Sequence, residues 1–291
     1  MADITEDSTE ETVGDTAPGR RRRTVPGGES APLRLFCFHH AGGSAWSFAG
    51  WGRRLGPEIE VVPVALPPRS VSAPGSAGSV STMGDLVREV AQRLAPALEE
   101  RPYAFYGHSM GSLVAHGVTQ RQLAAGRRPP VAFVTGAHRA PHLPAPELTM
   151  DLSDTAALEL LLGLGGTGRL LRENPGRMSA AVERLRQDLL VSASYRYPAA
   201  EHRPLPCPVH VLHGSQDPLV PTAHAAAWQH HAAGPFSLRV LPGGHFFHKE
   251  HKKLFFEELR RALGATGADH RRSPDHQSPL PQTPRRCDSR R

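Results

Sequence analysis

Short apolar runs alternate with longer amphipathic segments along the middle of the chain. The apolar runs cover residues 34–38, 61–66, 103–106, 131–135, 209–212 and 238–241. The longer segments lie at 45–55, 83–100 and 110–125, and a last one covers 248–263 and ends at Gly264. Within residues 83–100 an apolar residue recurs every four positions, which is the spacing of one helix face. The pattern therefore predicts strands that alternate with helices.

This alternation predicts an α/β fold with a mostly parallel, doubly wound sheet, because parallel strands need crossover connections. Continuous apolar strands are expected when helices cover both faces of the sheet. Between Thr135 and Pro208 the chain runs for about seventy residues, well beyond an ordinary connection. Helical patterns at 158–164 and 178–190 fall in this stretch. We therefore expect an inserted helical cap, or lid, over about residues 142–200, above the strand ends where such sheets bind ligands.

Both ends of the chain differ in composition from the middle. Residues 1–31 are rich in Asp, Glu, Thr, Gly, Pro and Arg, and residues 265–291 are rich in Pro, Ser, Arg and His. Segments with so few apolar residues do not form a core, so we predict a disordered leader and tail around one domain over 32–264. The leader has no apolar segment of the kind found in a signal peptide. No run approaches the roughly 20 apolar residues of a membrane span.

Charge and cysteine content narrow the class of protein. The net charge is +6, and the domain holds all of it, because seven acids and four arginines in 1–31 offset three acids and six arginines in 265–291. The 31 arginines and three lysines form no basic stripe or nucleic-acid motif, so no nucleic-acid partner is expected. Cys37, Cys207 and Cys287 are far apart, which argues against disulfides or a zinc site and predicts a cytoplasmic protein.

The strongest chemical signal is a G-x-S-x-G motif at residues 107–111, with Ser109 at its centre. An apolar run precedes it and an amphipathic segment follows it, which is the strand–turn–helix context of a nucleophile elbow. Glycines allow the tight turn, and a helix N-terminus favours negative charge that develops beside the serine. An ordinary glycine-rich turn is the alternative. The context favours Ser109 as a nucleophile.

A serine nucleophile needs a base and an acid that orients the base. Behind such an elbow the order along the chain is serine, acid, histidine. Asp217 follows the fifth apolar run and His245 follows the sixth, so both are expected at the sheet edge that carries Ser109. The alternative is that Asp217 is an ordinary turn aspartate before a proline. Asp188 and Glu201 are rival acids, within the predicted cap or at its border.

Two backbone amides are expected to form the oxyanion hole. One belongs to Met110, the residue after the nucleophile, and the other to the loop after the first strand. That loop is glycine-rich, and Ala41 is our candidate within it. A glycine-rich loop without a role is the alternative interpretation. Cys37 lies inside the first strand and is expected in the core rather than at a reactive position.

The many histidines also raise the question of a metal site. His248 and His251 follow His245 at near-helical spacing and would share a face. No carboxylate or cysteine pattern completes a site with them. We therefore expect solvated helix histidines and no metal ion.

Taken together, these motifs resemble type II thioesterases, the stand-alone α/β-hydrolases that accompany polyketide synthases and nonribosomal peptide synthetases. The resemblance covers residues 33–263 and rests on segments 36–43, 107–111, 195–197, 214–218 and 242–247. It implies an α/β-hydrolase fold. It also assigns the same site residues as the motifs do: Ser109 as nucleophile, Asp217 as acid, His245 as base, and Ala41 and Met110 as oxyanion donors.

Two segments depart from the family pattern. The family usually has a proline before its H-A-G-G, where this chain has His39. It usually reads L-P-G-R-E after the second strand, where this chain reads Leu66-Pro67-Pro68-Arg69-Ser70. No triad residue is lost. We expect the loop geometry near the site to differ, and with it turnover and substrate preference.

The resemblance implies hydrolysis of acyl thioesters on the phosphopantetheine arm of an acyl carrier protein or peptidyl carrier protein, in an editing role. We expect a monomer without a cofactor of its own, the arm being supplied by the carrier. Carrier proteins are typically acidic, so a positively charged domain would favour encounter. Two alternatives stay open. One is an esterase or product-releasing hydrolase acting on a small-molecule ester, and the other is a hydrolase-fold binding module without activity.

Overall fold

The structure is a computed structural model that describes residues 32–69, 80–144 and 175–269. Its described part contains one six-stranded sheet, ordered β2-β1-β3-β4-β5-β6, in which every neighbouring pair is parallel. The strands are β1 (Leu33–Phe38), β2 (Ile59–Pro63), β3 (Tyr103–His108), β4 (Ala132–Gly136), β5 (Val209–Gly214) and β6 (Phe236–Leu241). The predicted parallel α/β sheet is confirmed.

Helices connect the strands. They are α1 (Trp51–Leu55), α2 (Met83–Glu100), α3 (Met110–Ala124), α4 (Pro175–Ala193), α5 (Thr222–Ala226), α6 (Phe247–Glu250) and α7 (Lys252–Asp269), with short 3-10 helices at Ala45–Phe48 and Ala227–His231. The bounds of α2 match the sequence pattern, and the Thr82 hydroxyl caps it by accepting a hydrogen bond from Asp85 N at 3.1 Å. None of the described helices is both long and apolar enough to cross a membrane.

Two helix predictions were wrong in detail. The segment 45–55 is split because Gly50 adopts a left-handed conformation with φ of 78°, which ends the 3-10 helix before α1 begins. The segment 248–263 is split at His251, and α7 continues through Gly264 to Asp269. Gly264 does not take the positive φ of a terminating glycine, and an interior glycine costs a helix only about 1 kcal/mol.

The core occupies both faces of the sheet, because successive residues of a strand point to opposite sides. One cluster contains Phe36, Phe38, Tyr103, Phe105 and Phe133, with Leu86 and Val90 of α2 and Val114 and Val118 of α3. The other contains Leu35, Cys37, Ala104, Tyr106 and Val134, with Trp51 and Leu55 of α1 and Phe255 and Leu259 of α7. Every residue of β3 is buried. This double coverage explains why the strands read as continuous apolar runs.

The parallel sheet brings the carboxyl ends of β1, β3, β5 and β6 to one edge, where the predicted site residues follow their strands. Helix α4, from the predicted cap, packs there, since its Leu185 and Val182 lie against Ala41. Only residues 142–144 and 175–200 of that cap are described, so the predicted helix at 158–164 lies outside the described residues. The predicted leader, Ser70, residues 270–291 and Cys287 also lie outside them. Cys37 and Cys207 are buried free thiols.

Candidate active site

Ser109 lies between β3 and α3 in a strained turn. Its φ of 53° and ψ of −123° are rare for a residue with a side chain, and its amide donates to Gly136 O at 2.8 Å. The flanking glycines are sterically required. A Cβ on Gly107 would lie 2.5 Å from Ser112 Cα, and one on Gly111 would lie 2.1 Å from Phe38 O. Such strain persists only where the surroundings enforce it, typically at functional sites.

Asp217 and His245 form a buried hydrogen-bonded pair. His245 Nδ1 lies 2.9 Å from Asp217 Oδ2, and the two side chains are 5% and 0% exposed. The other carboxylate oxygen accepts from Leu219 N at 2.9 Å and Val220 N at 3.2 Å. The carboxylate is therefore fixed by three contacts, and it orients the imidazole so that Nε2 is the ring nitrogen left for other chemistry.

The surroundings keep the Asp217 carboxylate ionised. Burial raises its pKa, but the hydrogen bond and charge of His245 and the bond from Leu219 N outweigh burial, so the pKa lies below the usual value. An ionised carboxylate at this position stabilises an imidazolium when one forms.

His108, the residue before the serine, connects the His245 loop to the elbow. Its Nε2 donates to His245 O at 3.0 Å, while Tyr106 OH donates to its Nδ1 at 3.1 Å. The two imidazole rings lie 5.6 Å apart. His245 is thus held next to the turn that carries Ser109. Among the described residues no hydrogen bond joins the Ser109 hydroxyl to His245, a bond that often tightens only when substrate is present.

Further histidines surround this pair, and one sequence prediction about them was wrong. His251 is exposed as expected, but His248 is buried with its ring 4.2 Å from that of His108. Burial, and then the charges of Lys249 and His245, lower the pKa of His248 to about 3. Burial likewise lowers the pKa of His108 and His40 well below the usual value. These rings therefore stay neutral near His245.

The loop after β1 leaves the predicted oxyanion amide available. Gly42 N donates to Asp188 Oδ2 at 2.8 Å, and Gly43 N donates to His40 O at 3.0 Å. No hydrogen bond among the described residues uses the Ala41 amide. Met110 is the first residue of α3, so its amide has no partner within the helix. The geometry suits both predicted donors, whose roles remain predictions.

The position of Asp188 was not predicted from the sequence. It lies on α4, is fully buried, and pairs with Arg69 as well as with the Gly42 amide. Arg69 in turn donates to Pro67 O at 2.7 Å. Asp188 is therefore no rival acid for His245. It joins the cap helix to the oxyanion loop and to the segment after β2. Its partners are 119 and 146 positions away, so the only sequence signal was its place in the predicted cap.

A cleft of about 730 Å³ opens beside the oxyanion loop. Its lining includes His39, Gly43 and Trp46 on one side and Glu183 and Arg184 of α4 on the other. None of Ser109, Asp217 and His245 lines this cleft. The ring of His39, which stands where the family usually has a proline, is buried and bonds to His40 O at 2.8 Å.

A parallel sheet with a strained serine elbow after β3, and with an acid and a histidine on later loops, defines an α/β-hydrolase. Within that class the chain belongs to the Thioesterase domain family, which matches residues 33–263. The resemblance inferred from the motifs is confirmed.

The chain is similar to proteins of several named biosynthetic pathways. Linear gramicidin dehydrogenase LgrE of Brevibacillus parabrevis is 37% identical over 230 residues, which are 77% of this chain and 85% of that protein. The RedJ thioesterase of the prodiginine pathway in Streptomyces coelicolor has a TM-score of 0.69 at 33% identity, covering 84% of this chain and 92% of that one. The type II thioesterase BorB of the borrelidin cluster has a TM-score of 0.67 at 30% identity, covering 81% and 94%.

Proposed function

We propose that this protein is an editing thioesterase that removes acyl groups from the phosphopantetheine arms of carrier domains in a polyketide or nonribosomal peptide synthase. The observation that carries the proposal is the hydrogen-bonded Asp217–His245 pair held beside the strained Ser109. The family match, and relatives such as BorB and RedJ, supply the reaction class. The dehydrogenase activity in the name of LgrE is not carried over, because these residues are those of a hydrolase.

In the first half-reaction His245 Nε2 accepts the proton of Ser109 Oγ as that oxygen attacks the thioester carbonyl carbon. The tetrahedral oxyanion receives hydrogen bonds from the amides of Ala41 and Met110, at the N-terminus of α3. Collapse of the intermediate breaks the carbon–sulfur bond. The pantetheine sulfur leaves with the proton from His245, and an acyl-serine remains.

In the second half-reaction water replaces the serine hydroxyl as the nucleophile. His245 takes a proton from that water as it attacks the acyl-serine, and the same two amides hold the oxyanion. Ser109 leaves with the proton, which restores the enzyme and releases the free acid. The route requires no cofactor. We propose that the enzyme acts in the cytoplasm as a monomer. Light scattering would test the oligomeric state.

Substrate comparison tests the carrier part of the proposal. We would measure hydrolysis of one acyl group on a carrier protein, on free pantetheine and on an oxygen ester, with mass spectrometry of the released acid as the readout. The carrier thioester is expected to have the largest kcat/KM. Equal rates on all three would favour a small-molecule esterase instead.

Active-site labelling tests the triad and the non-catalytic alternative. A serine-directed phosphonate is expected to modify Ser109, and Ser109→Ala is expected to abolish both labelling and turnover. Ser112→Ala is the matched control, because Ser112 is the next serine along α3 and its hydroxyl bonds only to Gly107 O and Gly136 O among the described residues. Labelling at another residue, or activity retained in Ser109→Ala, would overturn the assignment.

A further inference from the structure

Histidines from four separate segments meet away from the triad. His116 lies on α3, His142 follows β4, His202 precedes β5, and His231 ends the 3-10 helix Ala227–His231. His116 and His231 are 2% and 1% exposed, while the other two are half-buried. One ring nitrogen from each of His116, His202 and His231 lies within 4.8 Å of the other two. We call these four residues the histidine cluster.

The rings already have an arrangement close to that of metal ligands. His231 Nδ1 lies 2.9 Å from His202 Nε2, and the ring of His116 is 5.4 Å from that of His202 and 5.5 Å from that of His231. Zinc–nitrogen bonds of about 2.0–2.1 Å in a tetrahedral site put neighbouring ligand nitrogens about 3.4 Å apart. Small side-chain movements would therefore bring three nitrogens onto one ion.

Only neutral imidazole coordinates a metal ion, so each ligand must keep one ring proton while its other nitrogen binds the ion. His202 Nδ1 is buried without a hydrogen-bond partner among the described residues. This nitrogen can therefore take the proton that an ion bound at Nε2 displaces.

We propose that the histidine cluster binds one divalent transition-metal ion of the zinc type, with His116, His202 and His231 as ligands. Imidazole nitrogens suit Zn²⁺, and also Cu²⁺ and Ni²⁺. The ion takes the place of the proton between His231 Nδ1 and His202 Nε2, and that proton moves to His202 Nδ1, so that both ligands remain neutral imidazoles. His231 Nε2, which lies 2.7 Å from His142 Nδ1, then donates its proton to that acceptor, as the second nitrogen of a metal-bound histidine usually does. Water completes the coordination.

The position of the cluster gives the ion a structural role. His142 and His202 flank the predicted cap, and His116 and His231 belong to the scaffold. Gln120, one turn after His116 on α3, already fixes the His202 segment through hydrogen bonds with the Arg203 backbone at 2.7 and 3.0 Å. A bound ion adds a second attachment at this point. It therefore holds both ends of the cap against α3.

The test uses the full chain after chelator treatment and titrates it with Zn²⁺ by calorimetry and with Co²⁺ by visible absorption. The wild type is expected to bind one equivalent, to show tetrahedral Co²⁺ bands, and to melt at a higher temperature with Zn²⁺. His202→Gln is expected to lose all three effects, and His142→Ala to weaken binding by about 10–100-fold. His224→Ala is the matched control, because that histidine is exposed on α5.

A second ligand variant, His116→Gln, changes a buried residue of α3 and is at risk of not folding. His202→Gln still tests the proposal in that case, because His202 lies in a half-buried segment outside the helices. Zinc binding that is equal in His202→Gln and in His224→Ala would overturn the proposal, as would the absence of binding in the wild type. The four histidines would then form only a hydrogen-bonded network. None of the three readouts depends on the thioesterase activity.

Discussion

At the scale of single residues, the elbow around Ser109 concentrates the steric demands of the site. Its positive φ places the side chain on a turn that has no space for a Cβ at Gly107 or Gly111. The atoms in the way are backbone atoms of the same strand–helix unit and of β1, which cannot move independently. Strain at the serine is thus held in place by close packing on both sides.

Gly111→Ala is expected to destabilise the protein by about 3 kcal/mol or more, because its Cβ would overlap Phe38 O. Activity should fall with stability, since β1 and α3 would separate and move the oxyanion loop. Urea denaturation midpoints measure the effect. The control is Gly52→Ala, where a Cβ would meet nothing within 4 Å. Equal midpoints for the two variants would contradict this account of the elbow.

Asp217→Asn is expected to lower kcat by about 10⁴-fold with little change in KM or folding, because an amide no longer holds the imidazole in the required tautomer. Steady-state kinetics on an acyl-carrier substrate measures the effect. Glu201→Gln is the control, since Glu201 was a rival acid by sequence and is exposed in the structure. A large loss in Glu201→Gln with activity intact in Asp217→Asn would reverse the assignment.

At the scale of elements, the contact between α4 and the loop after β1 determines how the cap bears on the site. Asp188 provides both links, one to the Gly42 amide and one to Arg69. Leu185 lies beside Gly42 in the same contact. A shift of α4 would therefore be transmitted to the Ala41 amide, the predicted oxyanion donor, without any change in the triad.

Asp188→Ala is expected to reduce kcat more than Asp188→Asn does, because the asparagine oxygen can still accept the Gly42 hydrogen bond. Both variants leave the Arg69 guanidinium buried without its carboxylate, so both should lose about 3–5 kcal/mol of stability. The difference in kcat between them isolates the positioning role. Ser179→Ala, at an exposed position of α4, is the control. Equal kcat in the two Asp188 variants would limit Asp188 to stability.

The limits of sequence prediction also appear at this scale. The bounds of α2 could be read because its cap and its periodicity are local, and Ser109, Asp217 and His245 could be read because each follows its own strand. The burial of His248 and the partners of Asp188 could not, since both depend on which distant segments fold against them. The histidine cluster was missed for the same reason, because its members come from four segments with no common motif.

At the scale of the whole molecule, histidine burial makes the fold sensitive to acid. The ordinary histidine pKa of 6.5 falls to about 3 for His138, His231 and His248, with burial as the main cause. Between those two values the unfolded chain binds protons that the native protein does not. Falling pH therefore favours unfolding, and the stability present above pH 6.5 is lost progressively toward pH 3.

The free energy of unfolding is thus expected to drop between pH 6.5 and pH 5, by up to about 1.4 kcal/mol per pH unit for each of these histidines. Urea denaturation at several pH values measures the slope of this free energy against pH.

His248→Phe is expected to reduce that slope by the contribution of one histidine. It should also raise stability at neutral pH, because it removes a buried Nδ1 that has no partner among the described residues and places an apolar ring between those of His108 and Phe255. His224→Ala, at an exposed position of α5, is the control. An unaltered slope in His248→Phe would show that His248 binds protons equally in the native and unfolded protein, so that its burial does not lower its pKa.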